Sequence, residues 1–161
     1  MAWTLRKPER VTKIDDALQL EWYAGDTIVV YVLSKMSSGV LQSWSDAALD
    51  VMNKWPSGKP YLAMYDLSYS GVVLAYLSLV KRHMCSLGIT KVGEEQALTN
   101  IAQREGFSAR VALYTSMTYS GHLGGFLAEI DARRSDLGQV VQYDAFYNRE
   151  AAFDWLTETQ T

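Results

Sequence analysis

The chain has 161 residues, of which 48% are hydrophobic and 20% charged, and a net charge of −3. That length fits one domain whose core needs neither disulfides nor a structural metal. The acidic balance, with lysine and arginine clustering no further than the pairs Arg6-Lys7, Lys81-Arg82 and Arg133-Arg134, excludes the basic face that nucleic acid requires. A single cysteine, Cys85, cannot close an internal disulfide and fits a reducing, cytoplasmic setting. The first residues lack the apolar core of a signal peptide. The apolar run 72–80 falls far short of the ~20 residues that span a bilayer, so no membrane insertion is expected.

Residues 1–16 are polar and mixed in charge and read as an arm or lead-in strand. Leu18, Leu20 and Trp22 then alternate with Gln19, Glu21 and Tyr23, the period of a half-exposed strand. Ala24-Gly25-Asp26 supplies a tight turn, and 27–33 is a β-branched apolar strand, so the two form an antiparallel hairpin. Ser37-Ser38-Gly39 can cap a helix carrying Leu41, Trp44, Ala48, Leu49, Met52 and Trp55 on one face. After the Pro56–Pro60 break, 61–67 reads as a buried strand. A helix should follow from Ser70 to about Leu87, with Leu74, Leu77, Val80 and Met84 facing the sheet and Gly88 as its stop.

Residues 88–109 have a less defined pattern, in which Ala97, Leu98, Ile101 and Ala102 suggest a short extra helix or insertion. A second strand-to-helix unit runs over 110–135, its helix carrying Leu123, Phe126, Leu127 and Ile130. A last strand is expected at 139–143, then a terminal helix capped by Asn148 and apolar at Ala152, Phe153, Trp155 and Leu156. Strands separated by helices pair in parallel through right-handed crossovers. The expected architecture is one α/β domain: a sheet of about five strands, an N-terminal hairpin, later strands parallel, and helices packed on the sheet.

The switch Tyr65-Asp66-Leu67-Ser68-Tyr69-Ser70-Gly71 is echoed by Thr118-Tyr119-Ser120-Gly121. The first resembles the Asp-Ser-Ser-Gly switch of the anti-sigma-factor antagonists. The ending Phe146-Tyr147-Asn148-Arg149-Glu150-Ala151-Ala152-Phe153-Asp154-Trp155-Leu156 is similar to the tail of SpoIIAA-like proteins of the STAS/SEC14 type. With the hairpin-first order, these stretches resemble that family across most of the chain. The resemblance implies a non-enzymatic regulatory domain that binds a protein partner. It further implies Ser70 as the phospho-acceptor, although Ser68 stands at the family's aspartate, Tyr69 at its other serine, and Asp66 two residues early.

Ligands in open α/β sheets favour the carboxyl ends of the strands. Ser68, Tyr69, Ser70, Gly71, Thr118, Tyr119, Ser120 and His122 should converge there as a binding rim for a partner or a small apolar or anionic ligand. The competing reading is structural: serine and threonine cap helices, and tyrosine packs at the rim. A hydrolase would need His122 to meet Ser70 with Asp66 behind it, and no Gly-x-Ser-x-Gly elbow is present. His83 and Cys85 diverge on a helix, and two histidines with one cysteine make a poor zinc set. Asp15-Asp16 and Glu94-Glu95 suit solvated faces, and Gly121, Gly124 and Gly125 lack the lysine of a phosphate loop. No catalytic residues, metal or cofactor are therefore assigned. Ten tyrosines and five tryptophans, with Tyr23, Tyr31, Tyr65, Tyr69, Tyr114, Tyr119, Tyr143 and Tyr147 on or just past strands, favour a binding surface or aromatic pocket. A homodimer through a symmetric patch is one form that partner could take.

Overall fold

The computed structural model describes residues 7–76, 106–115 and 141–158. Their elements are strands β1 (Arg10–Lys13), β2 (Leu18–Tyr23) and β3 (Ile28–Leu33), helix α1 (Ser38–Lys54), and strand β4 (Tyr61–Asp66). The start of a helix, α2, follows at 72–76, then β5 (Ala109–Tyr114), β6 (Val141–Phe146) and helix α3 (Arg149–Thr157). The expected continuation of α2 to Leu87, the extra helix within 88–109, and the helix and second Tyr-Ser-Gly turn after Thr115 lie outside the described residues.

The strands form one mixed sheet in the order β1-β2-β3-β4-β5-β6. β1, β2 and β3 pair antiparallel, while β3, β4, β5 and β6 run parallel. The α/β class, the leading hairpin and the parallel later strands therefore hold. The sheet has six strands where about five were expected. The extra one is β1, whose Arg-Val-Thr-Lys sequence is mostly exposed and is held by pairing with β2 rather than by burial.

Alternation along the strands divides the core in two. Leu18, Leu20, Val29, Tyr31, Leu33, Tyr61, Ala63, Tyr65, Val111 and Leu113 pack beneath α1, which contributes Leu41, Trp44, Ala48, Val51 and Met52. The other face buries Tyr23, Ile28, Val30, Met64 and Ala112 under Ala152, Phe153 and Leu156 of α3. The Ser37 side chain accepts from Val40 N–H and caps α1, and Asn148 accepts from the N–H groups of Glu150 and Ala151 to cap α3.

Three details depart from the sequence pattern. The last strand, described over Val141–Phe146, runs past the expected end at 143, because its register with β5 continues to Phe146. Leu74 faces solvent, 48% exposed, while Val72, Val73 and Tyr76 of the same turn are buried. Of the strand tyrosines read as a binding surface, an aromatic pocket or rim packing, Tyr23, Tyr31 and Tyr65 are core, as is Tyr61, because alternation turns each of them under a helix. Among the described residues no helix is long and apolar enough to cross a membrane.

Candidate functional site

The carboxyl ends of β4, β5 and β6 lie side by side, since Asp66 pairs with Tyr114 and Tyr114 with Phe146. Past this edge the chain turns sharply. Leu67 is buried and its N–H donates to the Tyr114 carbonyl, extending the ladder by one bond. Asp66, only 7% exposed, then locks the turn with its side chain. Its Oδ1 accepts from the Ser68 N–H at 3.0 Å and from the Ser68 hydroxyl at 2.6 Å. Short local bonds of this kind stabilise turns at strand ends.

Ser68 therefore points back to the strand and caps no helix amide. The first turn of α2 closes on the backbone, with Val72 N–H on the Tyr69 carbonyl and Ala75 N–H on the Gly71 carbonyl. Gly71 makes that entry with φ +79°, a left-handed value that glycine adopts without strain. Tyr69 is 52% exposed, and Ser70 and Gly71 are exposed beside it. Asp66 serves Ser68 rather than Ser70, so it is not poised as the third member of a triad. Of the eight expected rim residues, Ser68, Tyr69, Ser70 and Gly71 share one turn; Thr118, Tyr119, Ser120 and His122 lie outside the described residues. Tyr147, just past β6, is also exposed at this end of the sheet.

On the face covered by α3, a charged network links elements distant in sequence. Arg149 Nη2 donates to Glu21 Oε2 at 3.1 Å and to the Tyr23 hydroxyl at 3.0 Å, while Tyr23 donates to Glu21 Oε2 at 2.7 Å. The guanidinium also stacks on the Tyr23 and Phe153 rings. Burial, reinforced by the bond to Glu21, pushes the Tyr23 phenol up to about 12. Burial opposes the Arg149 charge, but Tyr23, Glu21 and Asp66 more than offset it. Sequence spacing held no signal for this network. It fastens α3 and offers no reactive group.

The face beneath α1 is an aromatic layer. Trp44 packs edge-on against Tyr65 at 4.8 Å between centroids and lies 5.5 Å from Tyr76 and 6.4 Å from Tyr31. At the amino end of the sheet Trp55 Nε1 donates to the Pro60 carbonyl at 3.1 Å and the hydroxyls of Tyr31 and Tyr61 share a bond of 2.9 Å, while Trp22 Nε1 is buried without a partner. Towards the carboxyl end three more polar atoms of this layer are unpaired. Trp44 Nε1, the Tyr65 hydroxyl and Thr115 Oγ1 are buried without a hydrogen-bond partner. Burial, aided by the neighbouring Tyr61, Tyr143, Tyr76 and Tyr31, raises the Tyr65 phenol well above its ordinary value, so it stays protonated.

Among the described residues there is no histidine or cysteine, and no cluster of three or more His, Cys, Asp or Glu side chains that could hold a metal. No family model matches the chain, no curated protein is significantly similar to it, and no solved structure matches it.

Proposed function

We propose that this chain is a STAS-like binding module of regulatory, non-enzymatic type, whose protein-facing surface is the carboxyl edge of the sheet around Tyr69-Ser70-Gly71. The observation that carries this reading is the turn itself. An almost fully buried carboxylate is committed to fixing the backbone, and a half-exposed tyrosine and an exposed serine are presented above it. A rigid aromatic with few torsions loses little entropy on docking, which makes Tyr69 a good anchor, and exposed Tyr147 and Leu74 widen the apolar surface at the same end. The hairpin followed by parallel strands, and the strand-to-helix switch after β4, support the STAS-like assignment. Ser70, exposed and outside the Asp66–Ser68 bond pair, is the accessible hydroxyl if this surface is switched by phosphorylation.

A photo-crosslinking side chain placed at 69, at 147, or at the exposed amino-end position 59 tests the reading in cells. Positions 69 and 147 should trap a protein partner, and 59 should not. A product at twice the 18.1 kDa chain mass identifies that partner as a second copy. Equal labelling from all three positions would refute the assignment of the edge.

A second reading, a carrier or sensor of a small ligand, is favoured by a separate observation: the unpaired polar atoms beneath α1.

A further inference from the structure

We infer that Trp44 Nε1, the Tyr65 hydroxyl and Thr115 Oγ1 form the donor set of a buried site beneath α1 for a small, uncharged, aromatic molecule carrying an acceptor oxygen. The inference deepens the ligand reading by moving the site from the exposed turns to the layer under α1, and it is independent of the protein-docking edge. All three side chains are fully buried, and all three polar atoms lack a partner. Buried polar groups are almost always hydrogen-bonded, so several orphans in one region call for a specific explanation. Their placement supplies one. Tyr65 and Thr115 lie on one face of adjacent strands, because Tyr65 pairs with Leu113 and Thr115 follows two residues on. Trp44 is in ring contact with Tyr65 from above. The carboxyl edge is where α/β sheets bind small molecules. Trp22 Nε1 is also unpaired, but it sits at the other end of the layer with the Arg10 guanidinium over its ring, so it does not belong to the set.

The chemistry of the three atoms selects the ligand. An indole N–H can only donate, and a protonated phenol and a threonine hydroxyl can both donate. The complement is an acceptor oxygen. Among the described residues the only buried polar or charged side chains are Ser45, Asp66 and Thr115, so no buried cation is at hand to neutralise a carboxylate or phosphate. The rings around these atoms, Tyr31, Trp44, Tyr65 and Tyr76, pack on one another at centroid distances of 4.8–6.4 Å, a layer into which a planar aromatic body could insert by replacing ring–ring contacts with its own. A neutral aromatic carbonyl meets these requirements.

The test uses the full chain and acetophenone as probe, with benzoate and ethylbenzene as its charged and acceptor-free counterparts. Binding is followed through the Trp44 indole N–H resonance, assigned with Trp44→Phe, and by calorimetry. Acetophenone should move that resonance, and both counterparts should bind at least tenfold more weakly. Tyr65→Phe and Thr115→Val should each weaken acetophenone binding about three- to tenfold, the worth of one hydrogen bond. Each should also raise the melting temperature of the free protein, because each removes an orphaned polar atom at nearly constant volume. Failure of acetophenone to shift the Trp44 resonance overturns the proposal. So does binding that both variants leave unchanged. Variants that melt higher while no probe binds identify the orphans as stored strain, and water exchange at Trp44 N–H with no probe displacement identifies an ordered water only. Either result overturns the proposal and leaves the crosslinking outcome at the edge untouched.

Discussion

The Asp66–Ser68 lock makes a quantitative prediction. Hydrogen bonds to a charged acceptor contribute about 1.5–3 kcal/mol each, and Asp66 Oδ1 accepts two from one residue. Part of that gain is spent keeping the carboxylate away from water, so Asp66→Ala should destabilise the fold by about 2 kcal/mol rather than by the sum. Ser68→Ala removes only the hydroxyl bond and should cost about 1 kcal/mol. In the Asp66→Ala background the hydroxyl has lost its acceptor, so the same serine change should cost almost nothing. The double-mutant cycle then yields a coupling near 1 kcal/mol. Ser70→Ala, at an exposed hydroxyl, should stay within about 0.5 kcal/mol of the parent. Urea unfolding followed by far-ultraviolet circular dichroism, with an unchanged slope, reads all four variants. A coupling below about 0.3 kcal/mol, or a Ser70→Ala cost matching that of Ser68→Ala, would show that the turn is not held as described.

Alkaline titration should be biphasic. The Tyr23 phenol is raised to about 12, and those of Tyr31, Tyr61 and Tyr65 are raised as well, so from about pH 10 the unfolded chain loses protons that the folded chain keeps. Stability is full below pH 10 and falls towards pH 12, by roughly 2 kcal/mol from Tyr23 alone. Absorbance near 295 nm should show exposed tyrosines ionising first and the buried ones only with loss of structure. Arg149→Met should cost about 2 kcal/mol by stranding Glu21 in a partly buried site, and hydrogen exchange should rise selectively in α3. In the β2–β3 turn, Ala24 has φ +53° and is held by its neighbours, so Ala24→Gly should raise stability by about 0.5–1 kcal/mol in thermal melts. Arg110 Nη1 donates to the Trp155 and Glu158 carbonyls at 2.6 and 2.9 Å, so Arg110→Ala should fray the end of α3 and cost about 1–2 kcal/mol, read by urea unfolding.

What could be read from the sequence was what neighbours in the chain determine. The Ser37 cap and the Asn148 cap are each set within a few residues, and the structure reproduces them; the alternation of Leu18–Tyr23 holds as a strand, but Tyr23, on the face read as exposed, is buried under α3. Features that depend on pairing were displaced or missed. β1 has two charged residues in four, so its sequence leaves arm and lead-in strand open, and pairing with β2 decides for the strand. β6 runs to Phe146, three residues past its local pattern, because its pairing with β5 continues that far. Leu74 was placed on the sheet-facing side, but the left-handed entry at Gly71 sets the helix phase so that Val72, Val73 and Tyr76 turn inward. The exposed half of the candidate site, Ser68–Gly71, was legible as a strand-to-helix turn. The bond from Asp66 to Ser68 was not legible, because an aspartate serving the serine two residues on looks the same in sequence as one offered to a more distant partner. The Arg149–Glu21 pair joins residues 128 apart, and the orphaned atoms of Trp44, Tyr65 and Thr115 come from three elements. No local pattern encodes either.

The two ends of the sheet differ in how most of their polar groups are used, and that difference underlies both the protein-docking and the ligand-binding proposals. At the amino end, polar groups are spent on fastening. Glu9 accepts from the Gly25 N–H, Arg10 pairs with Asp26, Trp55 ties down the turn before β4, and Arg110 holds the end of α3. At the carboxyl end, one buried carboxylate fixes one turn, while an aromatic and a serine are left exposed outside and three donors unpaired inside. Unsatisfied groups reduce stability, and folds tolerate them where binding restores what folding forgoes. Substitutions at the amino end should therefore appear in stability, and those at the carboxyl end in binding. The β4 strand connects the two ends: Tyr61 is hydrogen-bonded at its start, and Tyr65, one helix-facing row from its end, is not. That difference within a single strand is the observation on which the proposed ligand site at the carboxyl edge rests.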